Sequence, residues 1–346
     1  MPLDTYYLLG RTGLRVSPLG LGTMTFGDAD WHAAGSEKTR IFHRYLERGG
    51  NFVDTADIYA GGASEEILGE LIEKARCRDR IVLATKFGGP VDPTDPNARG
   101  NGRKHVLNAL DASLRRLRTD HIDLYWLHLW DQLTPPEEVM ATFDALVRSG
   151  KVRAVGLSDV PAWWATKAQL VADRHGWEPI AALQLEYSLV QRSIEWEHVP
   201  AALDLGMDVV AWSPLANGYL TGKYAQNREG RLTPGRSWPM AAAQHDPAIL
   251  DAVVIAADRA GCDPAQVALN WVAGRPGVVS TLVGATSVEQ LDTNLDALDV
   301  ALPDDTVAAL DRASYRTPQL FPHNLFAGFA ANNTRRRPPW RPASYV

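Results

Sequence analysis

Eight short apolar runs, separated by longer stretches of helical periodicity, limit what this chain can fold into. They cover residues 19–23, 51–55, 81–86, 122–128, 153–158, 182–187, 208–213 and 278–284. Each is close to continuously apolar rather than alternating. That is the pattern of a strand covered on both faces. The intervening segments carry helix signals. Segment 103–117 puts Leu107, Leu110, Leu114 and Leu117 on one stripe, with Arg115, Arg116 and Arg118 off it. Thr134-Pro-Pro-Glu137 reads as a capping box with prolines in the first turn, and Gly150 closes that helix. Asp263-Pro264 and Ser287-Val-Glu-Gln290 open two more.

Strand–helix alternation through eight strands predicts an α/β protein, a (β/α)8 TIM barrel of parallel strands. The competing architecture is an open doubly wound sheet. It would carry G-x-G-x-x-G after its first strand. Gly20-Leu-Gly22 begins such a pattern, but Thr25 stands where the third glycine is required. Residues 6–9 and 14–17, around the turn Gly10-Arg-Thr-Gly13, read as an N-terminal β-hairpin plugging the bottom of the barrel. The chain 1–346 reads as a single domain. Its barrel core spans about 19–310, followed by an irregular, Pro- and Arg-rich C-terminal tail over about 315–346. Loops 24–36, 87–102 and 216–247 are long, and loops at strand C-termini build barrel active sites.

Composition narrows the class of partner. Lys+Arg total 35 against 41 Asp+Glu, a net charge of −6, which gives no general attraction to nucleic acid. The one basic cluster, Arg335 to Arg337, lies in the tail and reads as solvated or as a subunit contact. No apolar run reaches the ~18–20 residues needed to cross a bilayer. Cys77 and Cys262 are too few for a disulfide framework and read as reduced thiols. With no basic, apolar leader at the start, the expected location is cytoplasmic. No metal is expected, because His43, His105, His121 and His175 have no ligand-like spacing.

Four polar side chains fall at or just beyond the C-terminal ends of three successive candidate strands: Asp54, Tyr59, Lys86 and His128. Taken singly, Asp54 reads as a helix cap, Tyr59 as a rim aromatic, Lys86 as a solvated lysine and His128 as a packed histidine. Taken together, they make chemical sense. A phenol of pKa ~10 is a poor acid near neutrality. A nearby ammonium favours its phenolate. A carboxylate can hold the ammonium, and an imidazole can orient a carbonyl oxygen toward the phenol.

Asp54-Thr-Ala-Asp-Ile-Tyr59, Ala84-Thr-Lys86, Leu127-His128, Gly156-Leu-Ser158, Gln184 and Trp212-Ser-Pro-Leu215 occur in an order and spacing that resemble the aldo-keto reductases. Leu21-Gly-Thr-Met-Thr-Phe-Gly27 and Gly284-Ala-Thr-Ser-Val-Glu-Gln-Leu-Asp-Thr-Asn294 extend the resemblance from about residue 8 to 310. It implies a TIM barrel that binds NADPH, with NADH as the second candidate, and that reduces an aldehyde or ketone to an alcohol. Tyr59 would be the general acid, Lys86 paired with Asp54 would tune it, and His128 would position the carbonyl.

The resemblance also assigns the cofactor contacts. Thr23 and Met24 would touch the cofactor, and Ser158, Asp159 and Gln184 would hold its carboxamide. Trp212 would stack on the nicotinamide. Ser213, Pro214, Leu215, Gly218 and Lys223 would line the pyrophosphate, and Gly284, Thr286, Gln290 and Asn294 the adenosine end.

Three positions depart from the family pattern. Asp159 stands where Asn is frequent and is read as a cap for the helix after Pro161. Gly284 and Gln290 bring no charge to a 2′-phosphate. Thr293 replaces a frequent Glu. Arg228, Arg231 and Arg236 are candidate sources of the missing charge. Phe26, Trp31, Phe87 and Trp130, with part of the tail from Phe321 to Phe329, would wall an apolar substrate pocket for a small-molecule carbonyl. Trp126 reads as barrel packing. The alternatives are a nicotinamide-binding regulatory or interaction subunit of the same fold, a keto-sugar reductase of a biosynthetic pathway, and a metal-dependent barrel hydrolase or isomerase. Oligomeric state has no signature in the sequence.

Overall fold

The computed structural model describes residues 2–27, 32–226, 230, 232, 246–316 and 321–325. β1 (Tyr7–Leu8) and β2 (Arg15–Val16) pair antiparallel as a hairpin. Eight parallel strands follow: β3 (Leu19–Gly22), β4 (Phe52–Asp54), β5 (Val82–Phe87), β6 (Ile122–Leu127), β7 (Val152–Ser158), β8 (Ile180–Glu186), β9 (Asp208–Trp212) and β10 (Val278–Val283). β10 pairs with both β9 and β3, which closes the barrel.

The helices wrap the outside. α1 (Glu37–Glu47), α2 (Ala63–Ala75), α3 (Arg103–Arg116), α4 (Pro136–Arg148), α5 (Ala162–His175) and α6 (His198–Leu205) each follow one strand. α7 (Pro247–Ala260) and α8 (Pro264–Ala273) follow β9. α9 (Val288–Leu295) and α10 (Asp304–Ser314) follow β10. No helix among the described residues is long and apolar enough to cross a membrane.

Strand alternation divides the apolar residues into two layers. Phe52, Val82, Ala84, Leu124, Trp126, Ala154, Ala182, Val210 and Leu282 fill the barrel interior, joined by Leu9 and Val16 of the hairpin. Val53, Leu83, Phe87, Tyr125, Leu127, Val155, Leu183 and Val209 face the helices. Glycine makes room for the largest interior groups. A Cβ on Gly156 would meet the Trp126 ring at 2.3 Å, and one on Gly20 would meet Phe52 and Leu282 at 2.8 Å. The hairpin seals the lower end. Gly10 donates its N–H to Oδ2 of Asp208, the first residue of β9, at 2.7 Å.

Three local readings are corrected. On α3 the buried stripe runs through Val106, Ala109, Leu110 and Ser113, and Leu107 is exposed. The periodicity had a choice between adjacent apolar rows, and the row next to the barrel won. Thr134 does not cap α4. Its hydroxyl donates to Asp131 at 2.6 Å, and Pro135 is the N-cap. Ser287 does cap α9, accepting from the Gln290 N–H, but the Gln290 side chain turns instead to Thr286. At Asp263 the full reciprocal box forms with Gln266.

Candidate active site

Inward positions at the upper strand ends carry the polar residues. Asp54 shares the inward register of Phe52, Lys86 that of Val82 and Ala84, and Gln184 that of Ala182. Asp54 is 1 % exposed and Lys86 is 0 % exposed. The Lys86 ammonium donates to Asp54 Oδ1, to the Thr55 carbonyl at 2.8 Å and to Tyr59 Oη at 3.1 Å. Its three protons are thereby all engaged.

The loop bearing Tyr59 is tied to β5. Thr55 N–H donates to the Ala84 carbonyl at 2.9 Å and Asp57 N–H to the Lys86 carbonyl at 3.2 Å. Behind the loop, Ser64 Oγ bonds both Thr23 and Thr55 at 3.0 Å. Burial opposes the Lys86 charge, but Asp54 and Tyr59 outweigh it and hold the ammonium above its ordinary value. Burial also raises the Tyr59 phenol, against the pull of Lys86, so Tyr59 stays protonated.

His128 follows β6, and its ring meets Tyr59 edge-on, with centroids 5.9 Å apart. Its Nδ1 is buried without a hydrogen-bond partner. Burial and the Lys86 charge push its pKa down to about 3, so the imidazole is neutral. The structure thus brings Asp54, Tyr59, Lys86 and His128 to one place.

On the opposite wall, Gln184 Nε2 donates to Asp54 Oδ2 at 3.0 Å. Asp159 does not cap α5, whose N-cap is Pro161 without a side-chain bond. Its Oδ1 accepts from the indole Nε1 of Trp212 at 3.1 Å, and its Oδ2 accepts from Ser158 Oγ at 3.3 Å. Of these two donors the indole is the nearer, and Asp159 adopts a φ of +48°. Ser213 Oγ is buried without a partner.

Further along the β9 loop, Pro214 is buried, Leu215 half-buried, and Gly218 lies against Lys223, whose Cε a Cβ there would meet at 2.8 Å. Thr23 is fully buried, with its hydroxyl spent on Ser64 and the Asp54 carbonyl, while Met24 is half-buried.

Around the start of α9, Gly284 and Gln290 are exposed and Thr286 is half-buried. Asn294 is 6 % exposed, and its amide donates to the Gly284 carbonyl at 3.4 Å. A carboxylate stands here that the sequence did not announce. Glu37 Oε2 accepts from the Val288 N–H, the first of α9, at 3.3 Å, and Glu37 is ion-paired to Arg40.

The expected substrate wall is revised. Phe26 and Phe87 are both fully buried. Phe87 follows the inward Lys86, so it faces outward and packs 4.9 Å from Tyr125 and 5.9 Å from Phe143. Trp130 does stand on the loop after β6. Its partner is Trp163 in the first turn of α5, edge-on at 5.7 Å and 57 % exposed. Trp163 was missed because it reads as one more apolar residue of a helix. Its signal was position, five residues past the end of β7. Trp31, Arg228, Arg231, Arg236, Arg335 to Arg337 and the tail beyond residue 325 lie outside the described residues, and Phe321 is exposed.

The sequence matches the Aldo/keto reductase family over residues 18–314. It is 39 % identical over 317 residues to an uncharacterized oxidoreductase, YrpG, of Bacillus subtilis, covering 88 % of this chain and 94 % of that one. It is 34 % identical over 339 residues to norsolorinic acid reductase B of Aspergillus parasiticus, covering 94 % and 88 %. It is 32 % identical over 348 residues to aryl-alcohol dehydrogenase GME11368 of Pestalotiopsis microspora, covering 95 % and 88 %.

Proposed function

This chain belongs to the aldo/keto reductase family, an oxidoreductase family, and on that basis we propose that it reduces an aldehyde or ketone to an alcohol with a nicotinamide dinucleotide, with Tyr59 as general acid. The observation that carries this reading is the Lys86 ammonium, which links Asp54 to the Tyr59 phenol in one hydrogen-bonded cluster at the strand ends. The mouth fits a flat ring with polar edges. It offers the indole of Trp212, the Asp159 carboxyl and two buried polar atoms without partners, His128 Nδ1 and Ser213 Oγ. The nicotinamide, when bound, supplies the hydride.

The chain's own residues manage the proton. Tyr59 holds it at Oη, because burial keeps the phenol protonated, and gives it to the substrate oxygen as negative charge develops there. Lys86 stays cationic beside the phenolate left behind, and Asp54 keeps Lys86 in place. Gln184 holds the other oxygen of Asp54, leaving its own carbonyl oxygen for the ring's amide. Neutral His128 orients the substrate oxygen without adding a second positive charge. The residues are preorganised, so little reorganisation accompanies the reaction.

The substrate class that fits best is an aryl aldehyde or ketone. The Trp130–Trp163 pair supports this, and one relative is named for an aryl alcohol. NADPH is the cofactor read from the family resemblance. A second reading, NADH, is favoured by the Glu37 carboxylate on the first N–H of α9, a position otherwise suited to phosphate. The unpaired thiols Cys77 and Cys262 support a cytoplasmic setting. The test follows absorbance loss of NADPH or NADH with a panel of aryl and alkyl aldehydes. No turnover with either cofactor on any aldehyde would overturn the reading.

A further inference from the structure

Asp159 has no role in the proton transfer just described, yet its backbone and both of its carboxylate oxygens are held. Its backbone N–H donates to the Gln184 carbonyl at 3.2 Å, and its φ of +48° is a conformation that Asp tolerates better than most residues. Its two oxygens accept from Trp212 and Ser158. The Trp212 bond joins the ends of β7 and β9 across β8 and fixes both the indole and the carboxylate.

An asparagine would offer the same acceptor oxygen to the indole. What aspartate adds is charge. A nicotinamide ring is neutral when reduced and carries one positive charge when oxidised. A carboxylate held at the mouth attracts only the second form.

Resting on the proposed nicotinamide chemistry, we infer that Asp159 biases this site toward binding the oxidised over the reduced cofactor, and does so increasingly as pH rises.

The neighbouring groups set when the charge is present. Burial, with Glu186 at the end of β8 adding repulsion, pushes Asp159 up to about 7, while Trp212, Ser158 and Lys86 pull the other way. Tyr59, on the loop after β4, also feels the Asp159 charge. The carboxyl is therefore mostly neutral at pH 6 and mostly ionised at pH 8.5. The preference for oxidised over reduced cofactor grows across that interval.

The experiment is calorimetric titration of the wild type with NADP+ and NADPH, and with NAD+ and NADH, at pH 6 and 8.5. The 2′-phosphate is common to both redox forms and cancels in their ratio. The wild type is expected to tighten on the oxidised form relative to the reduced form by several-fold between the two pH values. Asp159→Asn keeps an oxygen for Trp212 and is expected to show a ratio independent of pH. Glu186→Gln removes the repulsion and is expected to move the midpoint of the change to lower pH. A wild-type ratio indifferent to pH, or an Asp159→Asn ratio that still follows it, would overturn the inference while leaving the proposed function standing. Wild-type protein that binds no nicotinamide cofactor would overturn both.

Discussion

The Lys86 ammonium lies 3.1 Å from the phenolic oxygen of Tyr59 and 4.8 Å from the centre of its ring. Such an approach between a cation and a protonated phenol gains modestly while the phenol is neutral. It gains more once the proton has left and the oxygen is negative. The interaction is therefore strongest late in proton donation, the condition for accelerating a reaction rather than merely binding a substrate.

Tyr59→Phe tests this most directly. It removes the proton and keeps the ring edge packed on His128. Aldehyde reduction is expected to fall by ~10²–10⁴-fold in kcat, the usual worth of a positioned acid, while cofactor affinity holds. Single-turnover absorbance gives the first quantity and calorimetry the second. Retained kcat would remove Tyr59 from the mechanism.

The strand ends were legible because parallel strands buried on both faces leave few positions for charge. Asp54, Lys86 and His128 interrupt apolar runs at their C-terminal ends, and the barrel gives such interruptions only one place to point. Phe87 was misjudged although the same alternation predicts its direction. It follows Lys86 directly, so the two cannot share a face. The bond from Trp212 to Asp159 spans 53 residues, and no local pattern encodes it. Glu37 at α9 is equally non-local, joining residues 251 apart.

His128 is expected to contribute no titration between pH 5 and 8. Its pKa is pushed from 6.5 to about 3, so it is already neutral across that range. The pH profile of kcat/KM in His128→Gln should keep the shape of the wild-type profile, at reduced height. Stability carries the complementary sign. Unfolded chains protonate this histidine below ~6.5 and the folded chain does not, so stability falls as pH drops from there toward 3. His128→Gln is expected to lose less melting temperature on acidification from pH 7 to 5 than the wild type. Identical losses would refute the neutral assignment.

Asp57 is 3 % exposed, and neither carboxylate oxygen has a hydrogen-bond partner. Burial and the nearby Glu65 push it from 3.8 up to about 7, against the pull of Arg116 and Lys86. A raised carboxyl favours the folded state below its unfolded pKa and loses that contribution as pH rises through the folded value. Asp57→Asn should therefore gain on the wild type with increasing pH, by on the order of a few kcal/mol between pH 5 and 8.5. Thermal melts at the two pH values measure the gap. A gap that does not widen would show Asp57 ionised and paired in solution.

Glu37→Gln separates the two cofactor readings. The carboxylate on the Val288 N–H repels a phosphate there. Neutralising it is expected to tighten NADPH several-fold and to leave NADH nearly unchanged. Equal effects on both would place the 2′-phosphate away from α9.

Trp163 provides the test of substrate class. It stands 57 % exposed beside Trp130, with ring planes at 86° and centroids 5.7 Å apart. A pair of indoles set edge to face presents one open ring face and one open edge, which suits a flat aromatic guest more than a short alkyl chain. Trp163→Ala removes one wall and frees Trp130 to turn. An aromatic contact is worth ~0.5–1.5 kcal/mol beyond the area it buries. The KM for naphthaldehyde should therefore rise about three- to tenfold relative to the KM for propanal, while kcat changes little. The comparison is internal to one variant, so a general loss of folded protein affects both substrates alike and leaves the ratio intact. A ratio equal to that of the wild type would place the aryl group elsewhere in the mouth and remove the indole pair from substrate selection.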